Sequence, residues 1–164
     1  WLKMFEGTYN ATNFARLEEG KNPMRTILSC TPWIVDGRTI GFEIIGEAFL
    51  WNQVRRTAMA LHRMCIGELE PKEVLDAIEN PEIETDFGVA PPDWLLLWGV
   101  DWDEMPLPIT KQAITPLTAP PSGPAVERTM RKRWREGARH ELKNLLYQEW
   151  AQIGELPIVR HSSS

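Results

Sequence analysis

The sequence predicts an α+β fold, an antiparallel sheet with helices packed on one face, and three observations predict it. Two β-runs, Arg25 to Ile34 and Thr39 to Glu47, flank Val35-Asp36-Gly37-Arg38. Asp-Gly readily takes the left-handed conformations that a tight hairpin needs. Directly afterwards, from Leu50 to about Glu68, apolar residues recur at helical rather than alternating spacing. A second helical stretch from Pro71 and a long one ending near Ile153 complete the pattern.

Each element has its own local reason. Residues 1 to 14 read as a short helix and a loop. In the first β-run, strict alternation puts Leu28 and Cys30 on one side and Ile27 and Trp33 on the other. The second helix carries Pro71 in its first turn and stops before Asn80-Pro81. Residues 81 to 92 read as a loop, and Leu95 to Trp102 as a third strand. Six prolines between Pro106 and Pro124 cannot lie inside a helix. Ser122-Gly123-Pro124 then opens a long helix whose stripe is Val126, Met130, Trp134, Ala138, Leu142, Leu145 and Trp150. The expected organisation is a core over 1–105, a proline-rich connection over 106–124, and a helix of the same domain over 125–155.

Composition narrows the function. With 164 residues, 43% hydrophobic and 25% charged, the chain can build one core but not comfortably two. No apolar run approaches the ~20 residues that cross a bilayer, so no membrane partner is expected, and a cytoplasmic location is. Cys30 and Cys65 sit in apolar contexts and read as buried free thiols. The spacing of cysteines and of His62, His140 and His161 fits no metal site. A net charge of −5 argues against generic nucleic-acid binding, yet the charges are segregated. Arg128, Arg131, Lys132, Arg133, Arg135 and Arg139 face a single acid, Glu136, between residues 128 and 139, whereas residues 68 to 104 are mostly acidic. The chain starts at Trp1 within a helix-like segment, and it is expected to be part of a longer protein.

One residue resists the pattern. Counted from Leu50 at 100° per residue, Leu50, Val54, Ala58, Leu61, Cys65 and Leu69 form one stripe, widened by Trp51, Met59 and Ile66. Asn52, Gln53, Arg56, Ala60 and Arg63 fall on the opposite, solvent-side arc. Arg55 falls with the apolar residues, as does His62, which reads as a hydrogen-bonded core histidine. A core-facing guanidinium needs a carboxylate partner. Glu43 or Glu47 on the preceding strand could supply it structurally, or a catalytic acid could.

Three motifs, in order, resemble the C-terminal half of the TruA family of tRNA pseudouridine synthases. Gly7-Thr8-Tyr9-Asn10-Ala11-Thr12-Asn13-Phe14 is similar to G-T-H-D-F-x-x-F. Phe49-Leu50-x-x-Gln53-Val54-Arg55 is similar to F-L-x-x-M/Q-V/I-R. Ala90-Pro91-Pro92-Asp93-Trp94-Leu95-Leu96-Leu97 is similar to A-P-P-x-G-L-x-L. Together they span about residues 5 to 102. The sequence departs from the family at Tyr9, Asn10, Ala11 and Trp94.

The resemblance implies one half of a pseudouridine synthase fold and an isomerase that uses no cofactor and no metal. It acts on uridines of the tRNA anticodon stem-loop. An aspartate attacks the uridine, the glycosidic bond breaks, and the base turns and rejoins through carbon. Arg55 would orient that aspartate, and Leu95 would pack on the uracil face, where a flat apolar contact permits rotation. Arg25, Asn52 and Arg56 are the candidate RNA contacts, although an exposed arginine is usually just solvated. The aspartate belongs to an R-T-D-x-G motif in an N-terminal half. Here Asp36-Gly37-Arg38-Thr39 has the wrong order, so this chain alone is expected to be inactive. The implied partners are tRNA, the missing N-terminal catalytic half, and a second copy in a homodimer. The alternatives are a non-catalytic RNA-binding or scaffold protein sharing the fold, and a plain protein-interaction domain. Arg131, Arg135 and Arg139 share one helix face, which reads either as a solvated surface or as a phosphate contact.

Overall fold

Hairpin chemistry and helix capping set the architecture of the computed structural model, which describes residues 1–35, 37–97, 99–100 and 128–154. Three strands, β1 (Gly7–Asn10), β2 (Met24–Val35) and β3 (Arg38–Gly46), form an antiparallel sheet in the order β1-β2-β3. The helices are α1 (Gln53–Cys65), α2 (Pro71–Glu79) and α3 (Arg128–Gly154), with single 3₁₀ turns at Leu2–Phe5, Thr12–Phe14 and Pro92–Trp94. The α+β class is the one the sequence predicts. The chain divides into two compact units, Trp1–Pro92 and Asp93–Ser164.

In the first unit the β2–β3 hairpin forms as expected, closing at the pair Val35↔Arg38 with Gly37 at φ +72°. Its faces differ from strict alternation. A register irregularity between Ile27 and Ser29 adds one residue to β2. Ile27 and Cys30 therefore both turn inward, each about 1% exposed, while Leu28 is 59% exposed. A bulge reverses side-chain parity beyond it, which alternation counting cannot foresee. The N-terminal segment is also richer than a helix and a loop: Gly7–Asn10 is a strand paired with β2, in register Gly7↔Ile27 to Asn10↔Met24.

The core of this unit lies where the N-terminal segment meets α1 and α2. Phe14 is its centre, edge-on to Phe5 (centroids 5.6 Å apart) and stacked on Phe87 (5.2 Å). Ile27, Leu61, Met64 and Val74 belong to the same cluster. Asn13 is buried beside it and fully satisfied. Its Nδ2 donates to the Ala77 (3.0 Å) and Ile83 (3.1 Å) carbonyls, and its Oδ1 accepts from the Thr85 amide (3.1 Å). One side chain thereby ties the first motif to α2 and to the loop that follows. Pro71 opens α2 within a capping box made by Glu70 and Glu73.

The buried face of α1 is the largest correction. Gln53, Thr57, Ala60, Leu61 and Met64 are buried, whereas Trp51, His62, Cys65 and Ile66 are exposed. The face is turned by roughly 90° from the one counted from Leu50. The reason is local. Leu50 precedes Asn52, whose φ of +63° is left-handed, so Leu50 does not share the phase of the helix that starts after it. Thr57 and Ala60, both fully buried, are the small side chains of this face, and Ala60 belongs to the Phe14 cluster.

In the second unit, α3 buries Ala138, Leu142 and Leu146. The stripe thus continues through Leu146 after Leu142; Val126 and the side chains of Met130, Leu145 and Trp150 lie outside the described residues. Arg139 Nη1 donates to Asp93 Oδ1 at 2.8 Å within this unit. The expected third strand is absent from the described part of 95–102: residues 95–97 and 99–100 carry no strand, and Leu95 is 46% exposed. Trp98, Asp101, Trp102 and the proline-rich stretch 106–124 lie outside the described residues.

Candidate active site

The run Gly46 to Arg55 leaves β3 and turns sharply into α1. Gly46 is needed where it stands, because a Cβ there would sit 2.9 Å from the Thr26 carbonyl oxygen. Beyond it the chain bends at Glu47, and Phe49 and Trp51 are exposed while Leu50 is buried in the core. Gln53, 1% exposed, folds back to accept the Leu50 amide at its Oε1 (2.9 Å). This bond holds the turn in which Asn52 takes its left-handed conformation. Asparagine tolerates that region better than other residues with a Cβ.

Asn52 then presents Oδ1 to Arg55 Nη1 at 2.9 Å. Arg55 Nε donates to the Ala90 carbonyl at 2.7 Å, and the Ala90 amide donates to the Arg55 carbonyl at 3.1 Å. Two motifs 35 residues apart are thus locked together, F-L-x-x-Q-V-R through its arginine and A-P-P through its alanine. Arg55 does not face the core. It stands on the side of α1 away from Gln53 and Thr57, half-buried, and no carboxylate of the described residues lies within ion-pair distance. Glu43 and Glu47 do not meet it. Of the five N–H donors of a guanidinium, two are held by neutral acceptors of the protein. The remainder can bind a carboxylate or phosphate oxygen.

Arg56, the next residue, is already engaged. Its Nη1 donates to Asp86 Oδ1 at 2.7 Å, and Asp86 Oδ1 also accepts the Gly88 amide at 2.8 Å. The Gly88 amide and then Arg56 hold the Asp86 carboxyl below its ordinary range. Together with the Arg55–Ala90 pair, this bridge pins the segment before Pro91 along α1. Arg25 Nη1 donates to the Asn22 carbonyl (2.9 Å), which keeps it beside the loop that enters β2. Leu95 belongs to the second unit.

The residues that depart from the first motif have structural positions. Tyr9 is buried, and desolvation pushes its phenol up to about 12. The Gln53 amide lies toward that hydroxyl and opposes the shift without good hydrogen-bond geometry. Asn10 Oδ1 accepts the amide (3.0 Å) and hydroxyl (2.6 Å) of Thr12, an Asx turn that an aspartate could equally make. Trp51, expected on the apolar stripe, is 60% exposed with the Arg16 guanidinium 5.7 Å above its ring. Cys65, expected buried, is exposed at the last turn of α1, whereas Cys30 is buried and its thiol is pushed up to about 11. Burial is the main cause, with the Glu6 carboxylate adding to it. Sequence reasoning missed Asn13 and the Asp86 bridge; Asn13 stands inside the first motif at a position that the motif leaves open.

Comparison with known proteins matches most of the chain to one family. A family model described as tRNA pseudouridine synthase matches residues 2–103. The tRNA pseudouridine synthase A of Methanoculleus marisnigri is 40% identical over 107 residues, covering 64% of this chain and 38% of that protein. Its namesake from Thermococcus gammatolerans is 40% identical over 102 residues, covering 61% and 37%. That from Thermosipho africanus is 30% identical over 95 residues, covering 58% and 39%. The chain therefore spans well under half the length of these relatives.

Proposed function

Because this chain belongs to the tRNA pseudouridine synthase family, we propose that it supplies the arginine-bearing part of a tRNA uridine isomerase. The observation that carries the reading is the state of Arg55. It is oriented by Asn52 and Ala90, neither of which is charged, and its other donors have no acid among the described residues. A guanidinium held this way is ready for an anion brought by another part of the protein or by RNA.

On this reading an aspartate from an R-T-D-x-G segment elsewhere in the protein meets Arg55. The guanidinium keeps that carboxylate ionised and aimed as it attacks the uridine, and the bond between ribose and base breaks. Family resemblance assigns Leu95 the apolar surface on which the freed base turns before its carbon is joined to the ribose. Asn52 positions the guanidinium and does not itself touch the base. Asp86 acts further out, fixing Arg56 and the segment that carries Ala90. The substrate is a uridine of the tRNA anticodon stem-loop, and the complete enzyme is a homodimer; these rest on family resemblance.

The test is pseudouridine formation in tRNA by the complete protein and by Arg55→Ala. Loss of an oriented charge of this kind costs on the order of 10²-fold or more in kcat. Undiminished tRNA binding with kcat reduced by that factor supports the assignment. Unchanged turnover removes Arg55 from the chemistry, and tRNA binding without isomerisation by the wild type favours a non-catalytic RNA-binding protein of the same fold.

A further inference from the structure

The family match ends at residue 103, and α3 lies beyond it. Across Arg128–Gly154 the sequence places seven of its eighteen lysines and arginines but only three of its twenty-three acids. The helix carries a net +4 while the other residues sum to −9. Such segregation is not needed for packing, since the buried stripe of α3 is Ala138, Leu142 and Leu146.

Four of these cations, Lys132, Arg133, Arg135 and Lys143, are exposed, and none has a carboxylate within ion-pair distance among the described residues. Arg139 is half-buried and held by Asp93 at 2.8 Å. Lys132, Arg135, Arg139 and Lys143 follow one another at spacings of three, four and four residues, so they form a ridge along about 16 Å of helix axis. Arg133 stands about a third of a turn away. Glu136 is the one exposed acid among these cations. A row of cations at this spacing, three of its four members without an acid partner among the described residues, on a chain otherwise acidic, is complementary to a line of phosphates.

We propose that α3 is an RNA-binding arm whose Lys132, Arg133, Arg135 and Lys143 grip the tRNA sugar-phosphate backbone. The proposal rests on the uridine-isomerase reading for the identity of the RNA. Interactions of this kind position the substrate and read no sequence. They raise affinity without entering the chemical step.

The experiment compares the complete wild-type protein with a variant carrying Lys132→Gln, Arg133→Gln, Arg135→Gln and Lys143→Gln. Binding of a tRNA transcript is followed by fluorescence anisotropy over a series of KCl concentrations, alongside pseudouridine kinetics. Removing a cation that neutralises one phosphate should flatten the log–log salt slope by roughly 0.7–0.9, so a change of about two to four is expected. KM should rise at least about tenfold with kcat within about twofold. Lys132→Arg with Lys143→Arg should keep the wild-type slope, because charge is retained. A variant with wild-type melting temperature, salt slope and KM overturns the proposal. So does a variant that loses self-association or a protein partner while its tRNA slope stays unchanged. The two readings fail separately: a wild type that isomerises no uridine overturns the enzymatic reading, while the salt slope still decides the role of α3.

Discussion

Asn52 shows how much one residue can settle. It is the only non-glycine with positive φ among the described residues, and it sits three positions before the arginine it orients. Its two contributions can be separated. In the complete protein, Asn52→Gly keeps the left-handed turn but removes the acceptor. Turnover should fall about tenfold, the worth of one charge-assisted hydrogen bond, with tRNA affinity nearly unchanged. Asn52→Ala loses the acceptor and also strains the turn, which should cost a further 1 kcal/mol or so of stability, read by chemical denaturation. Equal stability for the two variants would mean that the turn is not held at positive φ.

Tyr9 gives a second residue-scale test. Its buried phenol titrates near 12 rather than at the ordinary value of 10.0. The native state therefore holds the proton more tightly than the unfolded chain does. That contribution is fully present below pH 10 and disappears as pH rises from 10 toward 12. Denaturation at stepped pH should show the loss, near-ultraviolet absorbance should show the late phenolate, and Tyr9→Phe should abolish both. A histidine-like role for Tyr9 in RNA contact is not what its burial serves.

At the scale of elements, the strand-to-helix passage is held from both ends. Gly46 allows β3 to run close against Thr26, and Gln53 caps the turn from inside. Gly46→Ala puts a Cβ 2.9 Å from a backbone oxygen, 3.1 Å from Ile27 Cδ1 and 3.2 Å from Phe49 Cζ. Backbone cannot yield as a side-chain end can, so a cost of about 1–3 kcal/mol is expected, measured as a shift in denaturation midpoint. This passage is legible in the sequence, because Asp36-Gly37, Pro71 and the apolar runs are local signals. The face of α1 is not, because its phase is set by one left-handed residue. Nor is β1: four residues, Gly7–Asn10, become a strand only when β2 is beside them. The inward turn of both Ile27 and Cys30 depends likewise on a bulge, which exists only in the paired sheet.

At the scale of the molecule, the two cysteines report on how the first unit opens. Cys65 is exposed and should react with a thiol reagent at once, while Cys30 is buried, with its thiolate disfavoured. Labelling of Cys30 should therefore await opening of the core. Its rate should follow global unfolding as denaturant is added, measured by mass spectrometry. Comparable rates for both thiols in native buffer would contradict the packing of β2 against the Phe14 cluster.

What the sequence determined by itself was local and chemical. It specified the hairpin, the α2 boundaries, the class of fold, and an arginine that had to be accounted for, because turn residues, caps and motifs act over a few positions. What only the tertiary structure decided was where that arginine points and what holds it. The Ala90 carbonyl lies 35 residues from Arg55 in the chain, and no periodicity within one helix can encode a partner that another segment delivers. Helical counting puts Arg55 in a core; the folded chain turns it away from that core and fixes it with uncharged acceptors. A buried cation would have required an acid nearby, whereas a half-buried one held by neutral oxygens keeps its charge available.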